Sequence, residues 1–299
     1  MPHLLLDPLP NLREPVLLAA FAGWNDAGEA ATAALRWLVR HLAGRRVGGL
    51  DPDEFHVFTD TRPHVRLVDG ERRISWPAHE LFLTTNPALP RDLLLFVARE
   101  PELRWRTYCD ELIDAARRAD AGALISFGAF LADTPHTRPV PISGFATSGE
   151  WLERLRAHGA MPSDYQGPTG IVGVLHDRCR EAGLPSASLW AAVPHYLPTT
   201  ANPKAALALL RVLDGVLELG LDLRRLEAAA AFFERQVDEA VGRNRRAGSY
   251  VRDLERRADA AREAREERPP ETSSPLPSAE EIIKDLEDFL RGRSSGSEG

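Results

Sequence analysis

The sequence predicts an α/β fold in which a mostly parallel sheet is covered by helices. From Val16 to about Pro203, short apolar runs of β type alternate with amphipathic stretches of helical length, and this alternation is typical of strand–helix–strand units. Two of the runs, at 93–97 and 123–127, are apolar at nearly every position. Strands in the middle of a parallel sheet are buried on both faces and have this composition.

The composition is that of a folded globular protein, and the net charge argues against some kinds of binding partner. Of the 299 residues, 43% are hydrophobic and 27% are charged, and the net charge is −7. Because this acidic balance repels phosphate backbones, we expect no nucleic-acid partner. Cys109 and Cys179 have no metal-ligand spacing, which argues against a zinc site or a disulfide framework and indicates a reducing cytoplasm. The apolar run at 16–22 is too short to cross a membrane and lacks the basic flank of a signal peptide, so we expect no membrane anchoring.

The predicted strands are short apolar or alternating runs bounded by turn residues. They are Val16 to Phe21, Phe55 to Phe58, Arg66 to Val68, Arg73 to Trp76, Asp92 to Val97, Ala123 to Gly128, Val140 to Ala146 and Ser188 to Val193. The third and fourth runs are separated by a short turn that contains Asp69-Gly70. This dipeptide favours a β-hairpin turn, so the two runs should pair with each other.

Helices are predicted where apolar residues recur every three or four positions. In the α/β part these segments are 26–42, 103–119 and 170–182. The first follows Asn25, a good N-cap, and we expect Asn25 or Asp26 to cap it. After Pro203 only helical patterns remain, at 205–219, 223–243 and 249–267. The first two of these should form a helical hairpin, because Gly220 and Asp222 are typical of a helix end followed by a new start.

The patterns divide the chain into four regions: an α/β core at 1–204, a helical extension at 205–268, a flexible linker at 269–277, and a short C-terminal helix with a disordered end at 278–299. The linker is rich in Pro and Ser and lacks large apolar side chains. The last helix, from Ser278 to Arg291, opens with a capping box and carries an apolar face. That face either docks on its own domain or on a second copy, or enters a groove of another protein.

Candidate functional residues follow the predicted strands, because ligands of parallel sheets gather where the strands end and helices begin. Each group has a structural alternative, as a helix cap, a turn or a surface ion pair, and the sequence leaves both interpretations open. The candidates are Gly23, Trp24, Asn25 and Asp26 after the first strand, Asp60 and Arg62 after the second, Asp133, His136 and Arg138 after 123–128, Gly167, Thr169 and Gly170 before a helix, and His195 at the last strand.

The motifs of common enzyme classes are missing. The chain has no Gly-x-Ser-x-Gly nucleophile elbow, no His-Glu-x-x-His zinc motif and no glycine-rich nucleotide motif. We therefore predict no catalytic residue, no metal ligand and no cofactor.

Five blocks of residues resemble a known family in their order along the chain. They are Phe21 to Gly28, Asp60 to Pro63, Ala132 to Pro139, Gly167 to Gly170 and Pro194 to Tyr196. This pattern is similar to that of the second proteasome assembly chaperone family, in its actinobacterial branch, and it extends to about Glu267. The resemblance implies a three-layer α/β domain similar to the nucleoside phosphorylase fold, a helical C-terminal extension, and self-association, for which a trimer is one form.

Two functional hypotheses follow. In the first, which the resemblance favours, the protein is a non-catalytic assembly or adaptor factor whose partners are proteins such as proteasome subunits, with Trp24, Trp76 and the terminal helix as contact elements. In the second, it is an enzyme or binder for a small anionic or nucleoside-like ligand. The cleft of that second hypothesis would gather Asn25, Asp60, Arg62, His136, Arg138 and Thr169.

Overall fold

The computed structural model describes residues 3–198 and 201–266. The predicted linker at 269–277 and the predicted helix from Ser278 to Arg291 lie outside the described residues. Within them the strands are β1 (Leu4–Leu6), β2 (Val16–Ala22), β3 (Arg45–Leu50), β4 (His64–Val68), β5 (Glu71–Ser75), β6 (His79–Thr84), β7 (Leu93–Arg99), β8 (Ala123–Ala132), β9 (Ile142–Ala146), β10 (Met161–Pro162) and β11 (Ser186–Pro194).

The helices of the described residues are α1 (Ala30–His41), α2 (Trp105–Arg118), α3 (Gly149–Ala157), α4 (Ile171–Glu181), α5 (Pro203–Leu217), α6 (Arg224–Gly242) and α7 (Arg245–Glu266). A short 3₁₀ turn, Ala27–Glu29, precedes α1. Six of these helices were predicted to within a few residues of their ends. The seventh, α3, was missed. None of the helices in these residues has the length and apolar character that a membrane span requires.

Nine strands form one sheet in the order β1-β3-β6-β7-β2-β8-β11-β9-β10. The four central strands, β7, β2, β8 and β11, run parallel, whereas β6 and β9 pair antiparallel with the outer two of them. Their carboxyl ends therefore meet at one edge of the sheet, which we call the carboxyl edge. This is where ligands and partners of parallel sheets are usually bound.

Helices cover both faces of the sheet, and each face has its own core. Helices α1, α3 and α5 pack on one face and α2 and α4 on the other. The central strands alternate between the two cores: Leu18 of β2 belongs to the first and Leu17 to the second. Because both faces are covered, these strands need apolar side chains at successive positions. The predicted α/β fold class is confirmed, with three layers.

The predicted hairpin is also confirmed, as a separate two-stranded sheet of β4 and β5. Asp69 and Gly70 form its turn, with φ angles of 52° and 82°. Positive φ at both central residues is the signature of the type I′ turn, which matches the twist of a hairpin. All residues of β4 and nearly all of β5 are exposed.

One predicted strand is wrong, and four strands of the described residues were missed. Phe55 to Phe58 forms turns: Phe55 is buried against Tyr108, with ring centroids 5.0 Å apart, and its carbonyl accepts the backbone N–H groups of Glu102 and Leu103. An apolar run that packs against a helix thus mimicked a strand. Three of the missed strands, β1, β3 and β6, form the antiparallel side of the sheet. The fourth is the two-residue strand β10, which pairs with β9.

The predicted helical hairpin is present, since α5 packs along α6 as well as against α1 and β11. Gly220, with φ of +67°, lies in the turn between the two helices. The chain up to Glu255 forms one compact unit, and a second unit begins at Arg256 within α7.

Candidate functional site

The first predicted block, which follows β2, forms a buried cluster with Glu100 at the end of β7. Asn25 is fully buried, and its Nδ2 donates to Glu100 Oε1 at 2.7 Å. The same oxygen accepts the backbone N–H of Ile171, at the start of α4, at 2.9 Å. A Cβ atom on Gly170 would lie 2.5 Å from Asn25 Oδ1 and 2.6 Å from Glu100 Oε1. Gly170 is therefore needed because two polar side chains approach its backbone.

Of the two predicted caps of the first helix, Asn25 is wrong and the side chain of Asp26 fills the role, although Glu29 stands at the N-cap position of α1. Asp26 Oδ1 accepts the backbone N–H groups of Ala31 at 2.7 Å and Thr32 at 3.2 Å. Burial raises the pKa of Asp26 above its usual value, and the hydrogen bonds from Thr32 and Ala31 oppose that rise. Asn25 is instead turned into the interior, where its backbone carbonyl accepts the N–H of Ala129 in β8.

The other two residues of this block lie in the turn between β2 and the helix. Gly23 has a φ of +132°, which side-chain-bearing residues rarely adopt. Trp24 is 64% exposed. A large aromatic side chain in solvent at the carboxyl edge is available to a partner rather than to the core.

Asp60 and Arg62 are exposed, and no ion pair joins them. The surface ion pair that was the structural alternative for these two residues is therefore not formed. Between them Thr61 is buried and donates to Glu102 Oε1. Arg99 at the end of β7 donates from Nε to Thr61 Oγ1 at 3.1 Å. The loop is thus fixed by Thr61, a residue that sequence reasoning did not select.

A buried histidine pair beside this loop was also missed. His56 Nε2 and His79 Nε2 are 2.7 Å apart, and His56 Nδ1 lies 3.2 Å from Glu102 Oε2. Burial lowers the pKa of both rings, that of His79 to about 3. The charge of His56 lowers the pKa of His79 further, whereas Glu102 opposes the lowering at His56. Burial would raise the pKa of Glu102, but hydrogen bonds from Thr61, Val57 and His56 outweigh it and lower that pKa. A neutral imidazole pair next to an ionised carboxylate results.

His136 lies in a second polar cluster, at the ends of β8 and β11. Its Nδ1 is 2.7 Å from the Tyr196 hydroxyl, and its Nε2 is 3.0 Å from Asp238 Oδ1 in α6. The backbone N–H of His136 also donates to the Tyr196 hydroxyl. Burial raises the pKa of Tyr196 to about 12, so the phenol keeps its proton and can donate it to His136 Nδ1. Asp238 is 102 positions away, and no local pattern in the sequence connects it with His136.

Asp133, Arg138 and His195 surround this second cluster. His195 lies with Nδ1 3.2 Å from Asp133 Oδ1 and with Nε2 3.2 Å from the Tyr250 hydroxyl of α7. Arg138 lies 3.5 Å from Glu255 Oε1, also in α7. Residues predicted from two separate blocks are thus brought together, and they contact Asp238 of α6 and Tyr250 and Glu255 of α7.

The remaining predicted residues, Gly167 and Thr169, are exposed in the loop before α4. Thr169 Oγ1 donates to the carbonyl of Gly170 at 3.3 Å, and the Tyr165 hydroxyl donates to the carbonyl of Pro168 at 2.9 Å. Both contacts are made within the loop itself.

The six residues of the predicted anionic cleft are therefore divided by their contacts among three places. Asn25 belongs to the Glu100 cluster, next to Gly170 and the loop of Thr169. Asp60 and Arg62 flank Thr61. His136 and Arg138 belong to the Tyr196 cluster. His136 is buried, and both of its ring nitrogens contact protein groups. Asn25 is also buried and donates from Nδ2 to Glu100, but its Oδ1 has no hydrogen-bond partner among the described residues. No group of three or more His, Cys, Asp or Glu side chains able to hold a metal occurs within residues 3–198 and 201–266.

Comparison with known proteins identifies a single family. The sequence model of the PAC2 family matches residues 20–241. A PAC2 family protein from Streptomyces avermitilis has 41% identity and a TM-score of 0.73, over 79% of this chain and 99% of that one. A proteasome-assembly chaperone homologue from Mycobacterium tuberculosis has 40% identity and a TM-score of 0.72 over the same shares.

A more distant structure extends the comparison in fold alone. It is PbaA of Pyrococcus furiosus, an archaeal homologue of proteasome-assembly chaperone, with 18% identity and a TM-score of 0.59 over 84% of this chain and 98% of that one. The comparison with curated proteins gives no match. The family model covers most of the chain, and two actinobacterial structures share about two residues in five with it. Both findings agree with the five sequence blocks, and this chain therefore belongs to the PAC2 family.

Proposed function

We propose that this protein is a cytoplasmic, non-catalytic assembly or adaptor factor that self-associates and binds other proteins, with proteasome subunits as the partner class. The names of related PAC2 structures, a proteasome-assembly chaperone homologue among them, support the partner class. The polar clusters at the carboxyl edge support a binding role, because their buried side chains are bonded mainly to one another and hold loops in place.

The observation that carries the proposal is the exposed apolar face of the β4–β5 hairpin. Val65 and Leu67 lie on one face of β4, and Ile74 pairs with Val65 across the hairpin. Their exposed fractions are 62%, 72% and 58%. A two-stranded hairpin is marginally stable by itself in water, and a cluster of aliphatic side chains in solvent marks an interaction surface. This face is therefore suited to contact with another protein.

Aromatic side chains extend this surface. Trp76 follows β5, is 48% exposed, and contacts Phe58 edge to face with ring centroids 5.0 Å apart. Trp is the residue type most enriched among the anchors of protein interfaces. Trp76 thus supplies an anchor at the base of the hairpin, beside the loop of Asp60 and Arg62.

Substitution of the apolar face tests the proposal. Leu67→Ser and Ile74→Ser remove exposed aliphatic groups, so the folded chain should melt at nearly the wild-type temperature. Burial of one Leu or Ile in an interface contributes about 1.5 kcal/mol or more, so each variant should bind about tenfold more weakly. Binding is measured by size-exclusion chromatography with light scattering, and by titration with purified proteasome α- and β-subunits encoded in the same genome.

Phe232→Ser is the matched control, because Phe232 is an exposed large apolar residue on α6, outside the hairpin. It should bind like the wild type. Wild-type protein that binds neither itself nor any proteasome subunit would refute the proposed function. Equal binding by the wild type and both hairpin variants would instead remove the hairpin as the contact surface.

A further inference from the structure

A groove lined by both arginines and apolar side chains lies on the face of the sheet covered by α1. It has a volume of about 340 Å³, which is in the range of small-ligand sites. It is lined by residues of β2, β6, β7 and α1, together with Pro77 and Ala78. It contains none of the thirteen residues that the sequence predicted for a site.

Three arginines line this groove: Arg36 and Arg40 from α1, and Arg99 from the end of β7. Its one acidic residue, Glu80, already lies 3.3 Å from the guanidinium of Arg46. The groove is therefore locally positive in a chain whose net charge is −7.

The two arginines of α1 are four positions apart, which places them side by side on the helix. Like charges in this arrangement destabilise a helix slightly. Arg40 lies in the last turn of α1, where the helix dipole favours a cation. The helix dipole does not account for the positions of Arg36 and Arg99. The Nε–H of Arg99 donates to Thr61, and the other N–H groups of Arg99 remain available to a ligand.

Apolar side chains lie beside these charges. Val39, Phe82 and Val97 line the same groove. A ligand with an anionic group and a compact apolar part would satisfy both surfaces. Guanidinium groups bind phosphate and carboxylate through paired hydrogen bonds, which makes arginine the preferred cation for such anions.

We propose that the groove formed by α1, β2, β6 and β7 is a binding site for a small amphiphilic anion, whose phosphate or carboxylate is held by Arg36, Arg40 and Arg99. The apolar part of this ligand packs on Phe82 and Val97. The groove shares no lining residue with the apolar face of the hairpin, so either proposal can fail without the other.

Titration with simple probes tests the site. Phenyl phosphate, phenylacetate and inorganic phosphate are titrated at constant ionic strength, and binding is measured by isothermal calorimetry and by the shift in melting temperature. Phenyl phosphate or phenylacetate should bind more tightly than inorganic phosphate, because only they bury apolar surface. A preference for the first probe assigns a phosphate ligand, and a preference for the second assigns a carboxylate.

Arg36→Gln and Arg40→Gln should each weaken binding about tenfold, the effect of losing one charge-assisted hydrogen bond. Arg36→Lys, which keeps the charge but loses the paired geometry, should fall between the wild type and Arg36→Gln. Arg106→Gln on α2, also an exposed arginine, is the matched control and should bind like the wild type. No binding by wild-type protein, or equal loss in the Arg106 variant, would overturn the proposal.

Discussion

Acid should destabilise this protein through His176, whose environment is the simplest of its buried histidines. Its Nε2 lies 2.7 Å from Ser126 Oγ and its Nδ1 lies 2.9 Å from Ser186 Oγ, and all three residues are buried. Burial lowers the pKa of His176 from 6.5 to about 4. Because the folded pKa lies below the unfolded one, the unfolded state binds a proton first as the pH falls.

The size of the effect follows from these two pKa values. The contribution of His176 to the free energy of unfolding is fully present above the unfolded pKa of 6.5 and falls as the pH drops toward about 4. Between about pH 8 and about pH 5 the loss is about 2 kcal/mol from this residue alone. His56 and His79 act in the same direction, so the contribution of His176 must be isolated by a variant.

His176→Gln keeps a polar side chain between the two serines and removes the titrating group. The free energy of unfolding of both proteins is measured with denaturant at about pH 8 and about pH 5. Between these pH values the variant should lose about 2 kcal/mol less of this free energy than the wild type. His64→Gln, in the exposed strand β4, controls for the loss of a histidine and should behave like the wild type. An identical pH dependence in the wild type and the His176 variant, or titration of the His176 ring near 6.5 in NMR spectra, would refute the argument.

Two further substitutions test the carboxyl edge through the melting temperature. Gly170→Ala should cost about 2 kcal/mol, because its methyl group displaces Glu100 from a partly buried hydrogen bond with Asn25. Gly122→Ala is the control, since its methyl group meets nothing within 4 Å, and it should change stability by less than about 0.5 kcal/mol. Equal effects of the two substitutions would contradict the proposed clash. Asp26→Ala should cost about 1–2 kcal/mol through the loss of the cap of α1, and wild-type stability of this variant would show that the cap is dispensable.

The parts of the fold that local patterns determine were predictable. Helical periodicity located all the long helices, and continuous apolar runs located the four central strands, because both faces of those strands are buried. The missed strand β3 contains Gly48 and Gly49. A Cβ atom on either would lie 2.2 Å or less from a backbone carbonyl oxygen, of Leu5 and of His79 respectively. These glycines are required by neighbouring strands, which the local sequence does not reveal.

The site was predictable in its segments but not in its contacts. The blocks after β2, β8 and β11 do lie at the carboxyl edge, as the rule for parallel sheets predicts. Their partners come from distant positions: Asn25 binds Glu100, 75 residues away, and His136 contacts Asp238, 102 residues away. A single sequence contains no record of such pairs. The oligomeric form and the likeness to nucleoside phosphorylases stay predictions.

The β4–β5 hairpin makes its ladder of backbone hydrogen bonds only within itself, on a two-stranded sheet apart from the nine-stranded one. Its residues are mostly exposed and contribute little to the packing of the core. Substitutions in the hairpin are therefore limited mainly by the contacts that the hairpin makes. We therefore expect that replacing residues 64–75 with a hairpin of another sequence would change the stability of the scaffold little. If the hairpin binds partners as proposed, such replacements would change binding and leave the stability of the scaffold close to that of the wild type.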